Sequence, residues 1–351
     1  MRKKINLIQC IAASNFRRLS SPYKATFILT YRCNLRCEIC RIWEHPPSKE
    51  MGALEIGKVF KSLKNLSWID LSGGEITLRN DVVEVVRTII KNSSKLLVFH
   101  ISTNGQRPER TELIADEILK GGLLPVINVS IDGPQELNDR LRGARGAFAN
   151  SVETFLRLKK MRLGHCYLSC TLSRHNMEHI EQLLRELEKE VSGFSHSDIH
   201  FNLFHTSAHY YKNNTASSSE KADPAIIKKY LSLSRKGHFL KFFLENEYLK
   251  GVSKFLSGDR FPKKCQALNA TCFIDPSGTV YPCGIYDEPV GFLSNYDYDM
   301  DQLWDQPDVL KVRKKIEQRH CSGCWSPCEA YPAILGGLMR RSKNGQPFLS
   351  Q

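Results

Sequence analysis

The sequence predicts an α/β protein: a partial (β/α)6 barrel of the TIM type followed by a small cysteine-rich C-terminal domain. Three observations predict it. Apolar or β-branched runs recur about every 30 to 40 residues through the first two thirds of the chain, and helix-period patterns fill the intervals between them. Twelve cysteines are present, most of them gathered in two places. With 351 residues, 41% hydrophobic and 25% charged, the chain can bury a full core, which excludes a disordered protein or a small disulfide-stapled scaffold. At roughly 150 residues per domain the length suits two domains, and it suits equally a barrel of ~250 residues with an appendage.

Residues 1–23 form a basic segment. The first twenty carry five bases and no acid, and helical placement of Ile5, Ile8, Ile11, Ala12, Phe16 and Leu19 gives one apolar stripe, expected to cap a core. Asn6, Gln9 and Asn15 interrupt the apolar run, so a secretory signal is not expected, and no charge-free stretch of ~18 apolar residues suggests a membrane span. A cytoplasmic location follows as the expectation. There, so many thiols are better explained by metal than by disulfides.

Strands are expected at residues 26–30, 68–71, 96–101, 126–131, 167–172 and 199–204, and helices at 54–63, 82–91, 109–119, 149–160 and 177–191. Strands alternating with helices imply right-handed βαβ units around a parallel sheet, and six such units over residues 24–205 make a barrel open on one side or a doubly wound sheet. Residues 205–223 are polar and turn-rich, a surface loop or mobile segment. Helical patterns at 224–234 and 239–256 complete a connector over 206–261. Residues 262–351 form the cysteine-rich domain, with a strand candidate at 279–281 and helical periodicity from 309 onward.

The chain carries 50 Lys and Arg against 37 Asp and Glu, a net charge of +13, and residues 212–264 hold a local excess of +7. Such a face suits an anionic substrate, a nucleic acid or an anionic lipid surface, and a solvated basic surface accounts for it equally. No recognisable nucleic-acid-binding module accompanies it.

The first strand runs directly into YRCNLRCEIC, which places Cys33, Cys37 and Cys40 in the loop at its carboxyl end, where parallel barrels put their chemistry. Three thiolates on one loop can hold three corners of an iron–sulfur cube and leave the fourth iron open. A closed zinc site would need four ligands. The loops after the next three strands read LSGGE, with Gly73, Gly74 and Glu75, then STNG, with Ser102 and Asn104, then SIDGP, with Ser130 and Asp132. Each alone is an ordinary turn; in register at successive strand ends they are not coincidence.

This constellation resembles the radical S-adenosylmethionine (SAM) superfamily. The resemblance implies a [4Fe-4S] cluster on Cys33, Cys37 and Cys40 whose open iron chelates SAM, with Gly73, Gly74, Glu75, Ser102, Asn104, Ser130 and Asp132 around the bound nucleotide. Reductive cleavage would give a 5'-deoxyadenosyl radical that abstracts hydrogen from substrate, fed by an electron donor such as flavodoxin or ferredoxin. Arg142 stands where related enzymes keep a basic group near a carboxylate, although a surface salt bridge to Asp139 or Glu136 is an even alternative. One departure is Ile39, where the family often has an aromatic residue before the third cysteine.

Cys265, Cys272, Cys283, Cys321, Cys324 and Cys328 form a second set, with Gly278 five residues before Cys283. They look like the SPASM and shorter Twitch extensions, which bind auxiliary [4Fe-4S] clusters. Six cysteines fall short of the full SPASM pattern, so at least one auxiliary cluster is implied, with Cys265, Cys283, Cys321 and Cys324 favoured as ligands. Cys272 and Cys328 stay open as alternatives, and a zinc ribbon is the competing reading. The reaction class implied is a net oxidation or crosslink of a peptide, sugar or other small molecule; the rival is a non-catalytic iron–sulfur carrier or scaffold. No catalytic acid or base is identifiable. Cys166 and Cys170 share a face of the fifth strand and read as small buried hydrophobes. Cys10 has no partner, and His175, His205, His209 and His320 read as surface or substrate-loop residues.

Overall fold

A computed structural model describes residues 1–214, 225, 239–259 and 263–338. The six expected strands form, each within a few residues of its expected place: β1 Lys24–Ile28, β2 Trp68–Ser72, β3 Val98–Thr103, β4 Leu124–Ser130, β5 Cys166–Leu172 and β6 Ile199–Leu203. All pair in parallel with their neighbours in sequence order. Helices α1 Arg2–Ser14, α2 Ala53–Ser62, α3 Val82–Asn92, α4 Pro108–Lys120, α5 Gln135–Arg142, α6 Ala147–Lys160 and α7 Ile180–Glu190 precede or connect them. The helices bury the stripes that predicted them. In α3, Val82, Val85, Val86 and Ile89 are fully buried, and each such side chain contributes roughly 1.5 to 3 kcal/mol of burial free energy. The helix α5 is an element that the hydrophobic pattern did not announce, because its eight residues QELNDRLR offer only Leu137 and Leu141 to the core.

β6 and β1 do not pair, so the barrel is open. The sheet instead continues past β1 into β7 Thr271–Ile274, which pairs in parallel with β1, and then into β8 Thr279–Tyr281 and β9 Gly291–Phe292 as an antiparallel meander. Thus the cysteine-rich region is joined to the barrel by main-chain hydrogen bonds, not only by a linker, and β1 presents no exposed edge. The N-terminal segment is stitched to that same region. Leu19 N donates to Asn269 O at 2.9 Å, Asn269 Nδ2 donates to Ser14 O at 2.7 Å, and Trp304 Nε1 donates to Leu19 O at 2.8 Å.

Helices α8 Phe239–Leu256 and α11 Pro327–Leu338 pack together near β6, with α9 Met300–Trp304 and α10 Pro307–Glu317 between β9 and α11 in sequence. His200 of β6 lies against the rings of Tyr248 in α8 and Tyr331 in α11, and Tyr331 Oη donates to Glu245 at 2.7 Å. Trp325 passes so close to α8 that a Cβ on Gly251 would sit 2.0 Å from its ring. The expected helix at 224–234 and the boundary near 261–262 lie outside the described residues.

Two expectations change. Residues 205–213 are not a loose surface loop. Asn213 Nδ2 donates to Ile39 O at 2.8 Å, Arg41 N donates to Tyr211 O at 2.9 Å, and Tyr210 and Tyr211 turn inward. Two adjacent tyrosines were the apolar surface that made this possible. The N-terminal stripe also divides. Ile11 and Leu19 are buried with Cys10, whereas Ile5, Ile8 and Phe16 lie on an adjacent face in solvent.

Candidate active site

The barrel encloses a cavity of about 270 Å³ at the carboxyl ends of its strands. Cys33, Cys37 and Cys40 line one rim. Their loop is pinned from two sides. Arg36 N and Glu38 N donate to the carbonyls of Arg142 and Leu141 at the end of α5, while Gly74 N and Glu75 N donate to the carbonyls of Thr30 and Arg32. This second contact explains the glycines. A Cβ on Gly73 would lie 2.5 Å from Thr30 O, and one on Gly74 would lie 2.4 Å from Arg32 O, so only glycine lets the two loops meet. Burial pushes the thiols up, Cys37 to about 11 and Cys40 to about 12, so holding a metal requires expelling their protons.

Glu75 does not line this cavity. It is buried beneath it and accepts from Thr77 N (3.0 Å), Thr77 Oγ1 (2.7 Å), Asn104 N (2.6 Å) and Thr103 Oγ1 (3.0 Å). With its lone pairs occupied by these donors, the carboxylate ties the second strand's loop to the third's. Gly73, Gly74, Ser102, Asn104, Ser130, Asp132 and Arg142 all line the cavity. Asn104 Nδ2 donates to Asn34 Oδ1 at 2.8 Å and approaches Cys33 Sγ at 3.8 Å.

Arg142 is not on the surface. It is buried, pairs with Asp132 at 2.7 Å and stands close enough to Cys37 to favour the thiolate, and its Nε is buried without a partner among the described residues. Asp139, the surface alternative, instead accepts from Gly146 N and Phe148 N. Ile39 also lines the cavity, as do Trp43, Tyr210 and Tyr211. Aromatic cover is thus supplied from elsewhere.

Polar side chains from the strands face the lumen below the rim, beside apolar ones such as Leu203, Phe204 and Phe273. Asp70 and Ser72, His100 and Ser102, Asn128 and Ser130, Ser169 and Thr171, with Thr26 and Asn202, all face it. Sequence reasoning missed Asp70, His100, Asn128, Ser169, Thr171 and Asn202. The signal was there: four successive strands carry two polar residues separated by one apolar residue, the alternation of a half-polar strand at the lumen side of a parallel sheet. At the bottom, Lys24 Nζ lies 2.6 Å from Asp70 Oδ2, and both are buried. Burial alone would raise the Asp70 carboxyl, but Lys24 and His100 overcome it and hold it well below the usual range. An ionised Asp70 only accepts, so His100 Nδ1, 3.1 Å from Asp70 Oδ1, carries the proton. That leaves Nε2 to the lumen, into which the 16% exposed ring opens.

A second cavity lies in the C-terminal region. Cys265, Cys283, Cys321 and Cys324 line it together, with Glu329 and Trp325. The other two cysteines part from them. Cys328 lines the barrel lumen, and Cys272, on β7, lines neither cavity and packs in the main core. Among the described residues no set of three such side chains converges on one ion's coordination sphere. Four thiols lining one cavity match in number the ligands of a [4Fe-4S] cube. Cys166 and Cys170 point away from the lumen into the core beneath the helices, as small hydrophobes. His205 lines the lumen, and His209 stacks on Tyr281 and pairs with Asp287 at 2.8 Å.

With this geometry in view, comparison with known families is decisive. Residues 27–187 match the radical SAM superfamily, and residues 265–325 match the SPASM iron–sulfur cluster-binding domain. The chain belongs to the radical SAM superfamily. Its cofactors are accordingly a SAM-binding [4Fe-4S] cluster, auxiliary iron–sulfur and SAM itself. It is similar to the mycofactocin maturase MftC of Mycobacterium ulcerans, 26% identical over 92% of this chain and 84% of that protein. It is similar also to the AdoMet-dependent heme synthase of Methanosarcina barkeri, 23% identical over 92% and 93%. The fold matches Streptococcus suis SuiB bound to SAM with a TM-score of 0.61 at 16% identity, over 84% of this chain and 68% of that one. This radical SAM protein has no described helix long and apolar enough to cross a membrane.

Proposed function

We propose that this radical SAM protein abstracts hydrogen from a polar substrate held in the barrel lumen and oxidises it. Cys33, Cys37 and Cys40 would hold the SAM cluster, and Cys265, Cys283, Cys321 and Cys324 one auxiliary cluster. Held there, the cluster and SAM would supply the radical chemistry, with the electron coming from a donor such as flavodoxin or ferredoxin. Gly73 and Gly74 let the second strand's loop lie flat against the cysteine loop, where its main-chain groups would bind the methionyl end of SAM. Arg142 offers a buried, incompletely partnered guanidinium for a carboxylate. Glu75 acts behind them as a positioning residue.

The observation that carries the reading is the lumen itself. A carrier or scaffold needs no chamber lined by Asp70, His100, Asn128, Ser169, Thr171 and Asn202 directly beneath a cluster loop. That lining selects a substrate group rich in hydrogen-bonding atoms, and Asn202 Oδ1, buried without a partner among the described residues, is ready to accept from one. His100 Nε2 is placed to take a proton from a substrate hydroxyl or amine, with Asp70 stabilising the imidazolium that results. Relatives support more than one substrate class. SuiB has been crystallised with the precursor peptide SuiA, MftC is a maturase, and other relatives are heme synthases. The common requirement is a polar group presented at the lumen, whether on a peptide side chain or a smaller molecule.

The test is anaerobic reconstitution with iron and sulfide, then dithionite and SAM. Release of 5'-deoxyadenosine is expected, and reconstituted protein that binds iron but neither binds nor cleaves SAM would establish the carrier reading instead.

A further inference from the structure

We infer that α1 is a docking edge for an anionic lipid surface. Four large apolar side chains are left in solvent at its outer edge: Met1 is 98% exposed, Ile5 45%, Ile8 57% and Phe16 78%. Met1, Ile5 and Ile8 are spaced four and three residues apart, along one stripe that half-buried Ala12 continues, and Phe16 stands in the turn that follows the helix. The helix cannot roll to hide them. Its other face is committed, with Cys10, Ile11 and Ser14 buried, Asn6 Nδ2 donating to Ser67 Oγ at 2.7 Å and Asn269 gripping Ser14 O. The stripe is therefore a fixed apolar ridge on a folded body.

Charge identifies what the ridge meets. Arg2, Lys4 and Arg17 are exposed around it, and no acidic residue occurs before Glu38. An apolar ridge with cations at its borders is the pattern of a helix lying in the headgroup layer of an anionic bilayer, where side chains enter the acyl boundary and bases meet phosphates. A second copy of this chain would bring the same cations face to face, which repels. The inference stands apart from the radical chemistry, since it concerns neither cavity.

The experiment is co-sedimentation of the full chain with phosphatidylcholine vesicles, neutral or containing about a third phosphatidylglycerol, at low and at high salt. Binding to the anionic vesicles at low salt, weakened by salt and absent on neutral vesicles, is expected. Ile8→Asp and Phe16→Asp should each weaken it about tenfold or more, and Arg2→Glu with Lys4→Glu comparably, with unchanged melting and unchanged 5'-deoxyadenosine release. Equal binding by Phe16→Asp and the parent chain would overturn the inference. So would failure to bind anionic vesicles, or a concentration-dependent dimer that Phe16→Asp dissolves, which would show a second copy covering the stripe.

Discussion

The two thiol-lined cavities differ in what surrounds them. In the barrel, three cysteines share one loop and one rim, Cys328 lines the same cavity from the C-terminal region, and the rest of the wall mixes polar strand ends with aromatic rings and the aliphatic side chains of Leu35, Ile39, Ile42 and Leu203. In the C-terminal region, four cysteines from two distant stretches close around a smaller space walled by Ile285, Ile316, Trp325, Ala330 and Ala333. Three thiols beside an open, hydrogen-bonding chamber leave room for a ligand at the fourth corner. Four thiols in an apolar shell leave none. The first arrangement suits chemistry on a bound molecule, and the second suits storage or passage of an electron.

The sharpest way to break this contrast is to remove one thiol from each cavity. Cys37→Ala should abolish 5'-deoxyadenosine release, because two thiolates do not retain the rim cluster. Cys324→Ala should keep a measurable part of that release while losing product turnover. Equal loss in both would dissolve the distinction.

Within the barrel, His100→Gln should slow product formation by roughly 10²- to 10⁴-fold, the range for a proton-transfer group, while leaving SAM cleavage nearly intact. A parallel fall in both, measured by chromatography of 5'-deoxyadenosine and product, would assign His100 to cofactor binding instead.

Lys24→Met tests the floor of the lumen. It strands the Asp70 carboxylate in a buried site and should lower stability at neutral pH by about 3 to 5 kcal/mol in thermal or urea unfolding. In the parent chain the low Asp70 carboxyl contributes stability that is lost as pH falls toward its folded value. In the variant, burial without Lys24 raises that carboxyl, so the protonated form is favoured and the deficit should narrow as pH is lowered from 7 toward 5. A deficit independent of pH would mean that Lys24 acts through packing alone.

The smallest effect is expected at Cys272. Cys272→Ala should leave iron content and cluster spectra unchanged and cost only about 1 kcal/mol of core packing. Loss of iron on that change would redraw the C-terminal ligand set.

Much of this was legible in the residues. Period-two apolar runs and helix stripes located six strands and the main connecting helices, because burial on the sheet and under the helices leaves a strong pattern. The cysteine loop and the glycines that follow β2 were legible for a related reason: close loop-to-loop packing tolerates few residues, and Gly73 and Gly74 meet main chain where any Cβ would clash. What was not legible was which side of a wall a residue takes. That Glu75 is buried and ties the loops after β2 and β3 together was not legible, since sequence does not count the donors waiting around it. Cys328 read as an alternative ligand beside Cys321 and Cys324, and it lines the other cavity. Asp70 and His100 are thirty residues apart and became a pair only through the register of β2 on β3. The parallel pairing of β7 with β1 was equally hidden, because its four residues TCFI carry no mark of their partner.

The most direct test of the account is Mössbauer spectroscopy on anaerobically reconstituted, ⁵⁷Fe-enriched protein, compared with a variant in which Cys33, Cys37 and Cys40 are all alanine. Two cubane clusters are expected in the parent chain, with added SAM altering the spectrum of one. The triple variant should keep a single cubane that SAM leaves untouched. A cubane in that variant that still responds to SAM, or the loss of all iron, would contradict the assignment of separate roles to the two cavities.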